Sequence, residues 1–296
     1  MKLEINNYIK KDYFLNIGII AHNEERNISI LLDKFIEQLK NIRLSYNITV
    51  VASGCTDRTE DIVRYYENKD NSHIKLLIEN QRKGKACAIN HFLNNPWGDF
   101  IVISSADIFP SNNALKEFIN SFSDPLVGMA GGRPIPRYSA GIVGLLNSIL
   151  WELHHEIALR KPKLGELIVF RNIIDKIPEE TAADEAAIEA LITQKGFKLK
   201  YLPGVTIYNY CPQNFTSFIK KRVRIFIGHL YVKDRMNYKV STYNITTLIS
   251  TIIKKITKEK RRAVFIILLV CLEIYARAIA LYEYRVRNKL YAIWER

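Results

Sequence analysis

The feature that most constrains the fold is an alternation of short apolar segments with segments of helical periodicity. Four apolar segments, FLNIGIIA, NITVVAS, HIKLLIEN and DFIVISSA, are each followed by a stretch whose apolar residues recur at helical spacing. Strands that alternate with helices pair in a mostly parallel sheet, and the helices cover both of its faces. The pattern therefore predicts an α/β fold with a mostly parallel central sheet.

The loops that follow these strands carry the candidate chemistry. They read HNEE, SGCTDRT, QRKGK and SADIFP, and in sheets of this kind ligands bind beyond the carboxyl ends of the strands. We therefore expect the candidate residues along one edge of the sheet. Residues 124–212 end in another strand-like stretch, FKLKYLPGVTIYNY, and we interpret them as the acceptor-side half of the same domain.

A change in composition near Tyr238 divides the chain. We interpret residues 1–237 as a catalytic domain and residues 238–296 as a helical, membrane-associated tail. The formal net charge of +13 predicts an anionic partner: nucleic acid, a phosphorylated small molecule or an acidic membrane surface. From Lys254 to Arg296 the chain has eleven Lys and Arg against four Glu, which favours an anionic cytoplasmic leaflet.

The apolar run from Ala263 to Leu272 is the strongest membrane signal in the tail. A span of about 20 residues would also contain Glu273 and Arg277, which are spaced to pair on one helix face. The run is predicted either to span the membrane or to lie at its surface. A buried core helix is the third alternative.

The amino-terminal segment MKLEINNYIKKDYF lacks the apolar core and cleavage site of a secretory signal. The four cysteines are scattered and form no C-x-x-C pair, which favours a reducing compartment. We therefore expect a protein of the cell membrane whose catalytic domain faces the cytoplasm.

Asp107 is a candidate metal ligand. It follows the strand FIVISSA, and Pro110 is expected to stop that strand. A carboxylate in this place suits Mg²⁺ or Mn²⁺ bridging a diphosphate, because hard cations prefer oxygen ligands and need few from the protein. The alternative is an N-cap or Asx turn before the helix predicted over SNNALKEF.

Asp184 and Glu185 open a predicted helix that ends at Gly196. Adjacent acids diverge on a helix, so one can accept a proton from an acceptor hydroxyl while the other fixes a neighbour. The alternative is structural, because acids at a helix N-terminus are stabilised by the helix dipole.

Basic residues in two segments are candidate phosphate contacts. Arg222 and Arg224 lie in FIKKRVRIFIGH and can clamp a leaving diphosphate, although a solvated basic face is the alternative. Lys85 opens a helix after a glycine, where backbone N–H groups and cations can meet an anion. In SGCTDRT, Asp57 is either a functional residue at a strand end or the cap of the next helix.

The order of these segments resembles that of the family-two glycosyltransferases with the GT-A fold. The matching segments are HNEE, SGCTDRTEDI, GKACAIN, SADIFP, GELIVFR, ADEAAIE with GFKLKYLP, and KRVRIFIGH, which cover roughly residues 14–230. The resemblance implies inverting transfer of a sugar from a nucleotide diphosphate donor, UDP-sugar favoured over GDP-sugar. The implied acceptor is a hydroxyl of a glycan or a lipid-linked glycan, and no nucleic acid takes part.

The resemblance also implies residue roles. Asp107 would bind the divalent cation as the acid of the D-x-D motif, and Asp184 or Glu185 would be the base, with Glu185 at the family's position. The base would deprotonate the acceptor during a single displacement of the diphosphate. The residues on the nucleotide and donor side would be Asn23, Glu24, Asp57 and Lys85. The residues that assist at the diphosphate or acceptor would be Arg222 and Arg224.

Several positions depart from the family pattern. Ala52 and Ser53 stand where acids normally hold the nucleotide base, Ser105 replaces the first acid of D-x-D, and the acidic pair of the base motif is inverted. These changes motivate an alternative, a non-catalytic GT-A scaffold that binds nucleotide sugar and recruits partners at the membrane. Ile225 stands where the family's last motif has a tryptophan, and this change argues against a processive polymer synthase.

Overall fold

The computed structural model describes residues 13–69, 73–94, 98–137 and 141–293. Residues 1–12, most of the amino-terminal segment on which the absence of a secretory signal was predicted, lie outside these ranges. The charged residues Glu295 and Arg296 of the tail also lie outside them. The strands are β1 (Phe14–Ala21), β2 (Ser45–Ser53), β3 (Ile74–Glu79), β4 (Phe100–Ser105), β5 (Ile108–Pro110), β6 (Val127–Pro136), β7 (Leu167–Arg171) and β8 (Lys198–Asn209). The helices are α1 (Ile28–Lys40), α2 (Thr59–Lys69), α3 (Lys85–Leu93), α4 (Ala114–Ser121), α5 (Gly141–Arg160), α6 (Asp184–Gln194), α7 (Phe215–Met236), α8 (Ile245–Lys258) and α9 (Ala263–Arg285).

All eight strands belong to one sheet in the order β3-β2-β1-β4-β7-β6-β8-β5. The first four units form the parallel half that the sequence predicts. The second half is mixed: β7 runs antiparallel to both β4 and β6, β8 is parallel to β6, and β5 is antiparallel to β8. The alternation of strands and helices locates the strands but does not set the direction of β7, so this mixed half was not predicted.

Successive residues of the central strands are buried in different hydrophobic clusters on the two faces of the sheet. In β4, Phe100 and Val102 pack in one cluster with α1, whereas Ile101 and Ile103 pack in the other with α3. Strands buried on both faces read as continuous apolar runs rather than alternating ones. This double burial is why DFIVISSA was recognisable as a strand.

The strand before Asp107 ends at Ser105, five residues before Pro110, so the proline is not what stops it, which corrects the sequence-based expectation. Residues Ile108–Pro110 form the short edge strand β5, which pairs with β8. Proline is tolerated there because an edge strand need not donate every backbone hydrogen bond. Helix α4 begins at Ala114 after the cap residue Asn113, so Asp107 is not its N-cap.

The carboxyl-terminal helices pack against the rest of the chain. Helix α7 ends at Met236, and the left-handed backbone of the next residue, Asn237 (φ 50°), caps it. Beyond it, Ile266 and Leu269 of α9 are buried against Leu146 of α5 and Phe218 of α7. The segment Lys260–Arg285 is long and apolar enough to cross a membrane, a test that core helices also pass. The division at residue 237 stays a prediction.

Candidate active site

The loops after β1 and β2 are joined by hydrogen bonds that fix the predicted nucleotide-side residues. Asn23, in a left-handed conformation (φ 56°), accepts a hydrogen bond at Oδ1 from the Thr56 backbone N–H at 2.8 Å. The backbone N–H of Glu24 donates to Thr59 Oγ1 at 2.7 Å. The two loops therefore form one rigid wall at the carboxyl edge of the sheet.

Asp57 ties this wall to the start of α2. Its Oδ1 accepts from the backbone N–H of Thr59 at 3.0 Å, and its Oδ2 accepts from the backbone N–H of Glu25 at 3.0 Å. Burial acts to raise the pKa of Asp57, but the hydrogen bonds from Thr59 and Glu25 outweigh it and lower the pKa. The predicted capping contact is present, and a nucleotide role for Asp57 stays a prediction.

Lys85 brings the two halves of the domain together. It opens α3, and its Nζ lies 2.8 Å from Asp184 Oδ2 and 3.2 Å from Glu185 Oε1 at the start of α6. The Asp184 side chain is 8% exposed and that of Glu185 is 21% exposed. The sequence predicted Lys85 on the donor side and the acids on the acceptor side, and the structure places these groups in direct contact.

The charges of this cluster shift one another's pKa values. Burial acts to lower the pKa of Lys85, but the two carboxylates raise it well above its ordinary range. Burial acts to raise the pKa of Glu185, yet Lys85 lowers it to about 2. Burial and the neighbouring Glu185 charge raise the pKa of Asp184, although Lys85 opposes this change. Glu185 is therefore the carboxyl that is held ionised.

Gly84, directly before Lys85, has a backbone conformation that only glycine adopts easily (φ 107°). A Cβ atom at this position would lie 2.7 Å from the backbone oxygen of Ala292. The carboxyl-terminal segment thus lies directly against the loop that carries Lys85. No local pattern in the sequence indicates this contact.

Glu166 is a site residue that sequence reasoning missed. It directly precedes β7 with a positive φ of 65°, and its Oε1 accepts a hydrogen bond from Asn209 Nδ2 at 2.7 Å. Burial raises its pKa; Lys221 opposes the rise, and the charges of Glu185 and Asp107 add to it. The available signal was an acid between a glycine and a buried strand, in the segment GELIVFR.

The two arginines of the segment KRVRIFIGH interact with different parts of the chain. Arg222 donates to Glu273 on α9 through Nε and, at 3.1 Å, through a terminal nitrogen to Oε2. Arg224 is half-buried, and burial lowers its pKa while the charges of Asp184 and Glu185 act to raise it. Arg224 therefore lies within electrostatic range of the two acids at the start of α6, whereas Arg222 is directed to α9.

The family of this chain follows from a match that covers more than half of it. A model described as Glycosyl transferase family 2 matches residues 16–184. The chain belongs to glycosyl transferase family 2. The family, the GT-A-type fold and the enzyme class expected from the sequence are thereby confirmed.

Curated family 2 relatives are similar over part of their length. The chain is 27% identical over 145 residues to a Methanococcus voltae enzyme, a dolichyl N-acetyl-glucosaminyl phosphate diacetamido-dideoxy-glucuronosyltransferase; the match covers 49% of this chain and 43% of that one. It is 23% identical over 190 residues to poly-β-1,6-N-acetyl-D-glucosamine synthase of Staphylococcus aureus, covering 60% and 46% of the two chains. The matches thus span less than half of each relative.

Solved structures show the same fold. A mannosyltransferase from Pyrobaculum calidifontis, in complex with GDP-Man and Mn²⁺, superposes with a TM-score of 0.61 at 21% identity, over 94% of this chain and 76% of that one. Glucosyl-3-phosphoglycerate synthase from Mycobacterium tuberculosis, with Mn²⁺, UDP and phosphoglyceric acid, gives a TM-score of 0.50 at 15% identity, over 76% and 78%.

Proposed function

We propose that this family 2 enzyme transfers a sugar from a UDP- or GDP-sugar to an acceptor hydroxyl, with inversion, at a membrane surface. The observation that carries the proposal is the contact of Lys85 with Asp184 and Glu185. Lys85 lies on the loop that is expected to hold the donor diphosphate, and the two acids lie on the acceptor side. The contact therefore joins the donor side of the site to the acceptor side. A donor and an acceptor bound on either side of this contact would meet at Glu185.

Glu185 is the proposed general base. It is the more exposed acid, and Lys85 keeps it ionised, so it is available to an acceptor. A diphosphate that draws Lys85 toward itself would release Glu185 and raise its pKa toward that of an effective base. The acceptor proton passes to Glu185, the new C–O bond forms, and the bond to the diphosphate breaks with its electron pair leaving on phosphate oxygen. One displacement inverts the anomeric carbon.

Asp184 and Arg224 are proposed to support this step. Asp184 is buried and holds Lys85 in place, which leaves Glu185 as the acid that turns toward the acceptor. Arg224 lies within electrostatic reach of both acids and would balance negative charge as the diphosphate departs.

Asp107 is proposed to hold a divalent cation, Mn²⁺ or Mg²⁺. Within the described ranges, no three His, Cys, Asp or Glu side chains form a metal-binding group. A single carboxylate nevertheless fits such an ion, because Mg²⁺ is usually held by one or two carboxylates together with substrate phosphates. When bound, the cation would supply neutralisation of charge on the diphosphate. The two solved neighbours contain Mn²⁺, which supports the same choice here.

The tail is proposed to lie along a membrane rather than to cross it. Exposed apolar side chains recur along α8 at Ile245, Ile249 and Ile253, and more follow along α9. The charged residue in the middle of α9, Glu273, is bonded to Arg222 of α7, so α9 lies flat against the catalytic domain. A helix with an apolar face and flanking cations suits an anionic membrane surface. The dolichyl-linked substrate in the name of the Methanococcus voltae relative supports a lipid-linked acceptor.

A donor screen tests the proposed function. Purified protein would be incubated with UDP- and GDP-sugars, with Mn²⁺ or with chelator, and the release of nucleoside diphosphate would be measured. We expect metal-dependent release with one nucleotide, increased by a lipid-linked glycan, and a product of inverted anomeric configuration by NMR. Nucleotide binding without release under any condition would instead identify a non-catalytic scaffold.

A further inference from the structure

A groove of about 360 Å³ lies beside the edge strand β5, outside the cluster described above. Its walls combine aromatic, apolar and basic side chains from α1, β5, β8 and the loops that follow β5 and β6. Ile30 and Tyr208 are 46% and 42% exposed, so both are accessible to a ligand. The residues that carry the argument are Ile30, Lys34, Phe109, Arg137 and Tyr208.

Arg137 is held in this groove by aromatic rings. Its guanidinium carbon lies 4.6 Å from the ring centroid of Phe109 and 5.1 Å from that of Tyr210, and it donates to Tyr210 Oη at 2.9 Å. Stacking fixes the guanidinium plane and leaves hydrogen-bond donors directed to an incoming anion.

The groove is electropositive. Arg137 and Lys34 line it, and neither forms an ion pair with a carboxylate in the part of the chain that the structure describes. None of the side chains that line it is acidic. Charge complementarity therefore points to a ligand with a negative group.

A chain of hydrogen bonds connects Arg137 of the groove to the candidate active site. Tyr210 Oη donates to Asn27 Oδ1 at 3.4 Å, and Asn27 Nδ2 donates to Glu24 Oε2 at 2.7 Å. Asn209, the last residue of β8, lies between Tyr208 and Tyr210 and bonds to Glu166 on the other side. The end of β8 thus contributes to the groove on one face and to the acidic cluster on the other.

We propose that this groove binds an anionic sugar residue of the acceptor. The aromatic face of Tyr208 would support the apolar face of a pyranose ring, and Arg137 with Lys34 would pair with its carboxylate or phosphate. The assignment of this sugar to the acceptor rests on the proposed function, whereas binding of an anionic sugar in the groove does not.

Ligand-observed NMR titration of the full chain, without nucleotide, tests the groove. The probes are methyl glucuronide and methyl glucose 6-phosphate, which separate a carboxylate from a phosphate source. Methyl glucoside is the control that lacks a charge, and inorganic phosphate is the control that lacks a sugar. We expect binding of at least one anionic sugar, with at least about tenfold weaker binding of methyl glucoside and of inorganic phosphate.

The matched variants are Arg137→Gln and, as control, Arg64→Gln, which removes an exposed arginine of α2. Arg137→Gln should weaken binding of the anionic sugar at least about tenfold, and Tyr208→Ala should weaken both charged and neutral sugars. Arg64→Gln should bind as wild type. The proposal would be overturned if the anionic sugar that binds more tightly bound no better than methyl glucoside or inorganic phosphate, or if Arg137→Gln left its affinity unchanged. Because no nucleotide is present, failure of the donor screen would leave this result standing.

Discussion

Arg222 and Glu273, which are 51 residues apart in the chain, form a two-bonded ion pair between α7 and α9. Helix α7 also carries Arg224, which interacts electrostatically with Asp184 and Glu185. One helix therefore contacts the proposed membrane-facing helix through one arginine and places the other within electrostatic range of the proposed catalytic carboxylates.

Removing the carboxylate of this pair should destabilise the protein. Both side chains are mostly buried, so Glu273→Gln would leave Arg222 without its charged partner and cost about 1–3 kcal/mol of unfolding free energy. The matched control is Asp234→Asn, which breaks the more exposed pair with Arg285 and should cost at most about 1 kcal/mol. Urea denaturation measures both. Equal losses would show that the α7–α9 pair contributes no more than a surface pair.

The general base is tested by Glu185→Gln. Transfer should fall by a factor of about 10² to 10⁴, because a base acts on the acceptor hydroxyl in the transition state. Donor affinity measured by calorimetry should be retained. The control is Asp184→Asn, which should keep more activity. If Asp184→Asn were the inactive variant and Glu185→Gln remained active, the base would be Asp184.

The low pKa of Glu185 predicts a pH dependence of stability. A carboxyl whose folded-state pKa is depressed contributes stability that is present above its unfolded pKa and lost as pH falls through the folded value, here between about 4.5 and about 2. Lys85→Met removes the cation, so burial would then raise the pKa of Glu185. The unfolding free energy lost in Lys85→Met should be larger at about pH 7 than at about pH 3. Urea unfolding at both pH values checks this, and a pH-independent loss would contradict it.

Asp107→Asn should abolish the metal dependence of donor binding, because the amide keeps the shape of the side chain but lacks the charge that a hard cation requires. Calorimetric titration with UDP and GDP, with and without Mn²⁺, measures this. Asp99→Asn is the matched control. Asp99 precedes β4 at the opposite edge of the sheet, where it accepts a hydrogen bond from the Phe14 backbone N–H. Equal Mn²⁺-dependent affinity of wild type and Asp107→Asn would exclude the metal role.

The proposed membrane contact of α8 is tested by flotation with vesicles. We expect wild type to bind anionic phosphatidylglycerol vesicles more than phosphatidylcholine vesicles, and less at high salt. The double variant Ile249→Ser/Ile253→Ser should partition at least about tenfold less, because each isoleucine loses about 1.5–3 kcal/mol of burial in the membrane. Leu126→Ser, an exposed apolar residue before β6, should have no effect. Unchanged flotation of the double variant would place the membrane contact elsewhere.

The sequence predicts those features of the fold that depend on local pattern. The strands of the parallel half are buried on both faces, so their apolar runs were recognisable, and the acids at the start of α6 were singled out by their adjacency. The position of Glu166 within electrostatic range of Asp107 and Glu185 depends on the direction of β7, which no local pattern encodes. The bond of Arg222 to α9 depends on how distant helices pack, so the motif could not show which arginine lies near the acids of α6 and which bonds to α9.

The contact of Gly84 with the backbone of Ala292 has an evolutionary and an engineering consequence. A side chain at residue 84 would displace the carboxyl-terminal segment, and a different path of that segment would reshape the loop before Lys85. The choice of residue at position 84 is therefore constrained by the path of a stretch more than two hundred positions away in the chain. A chimera that takes the loop before Lys85 from one homologue and the carboxyl-terminal segment from another would have to keep glycine here or move that segment.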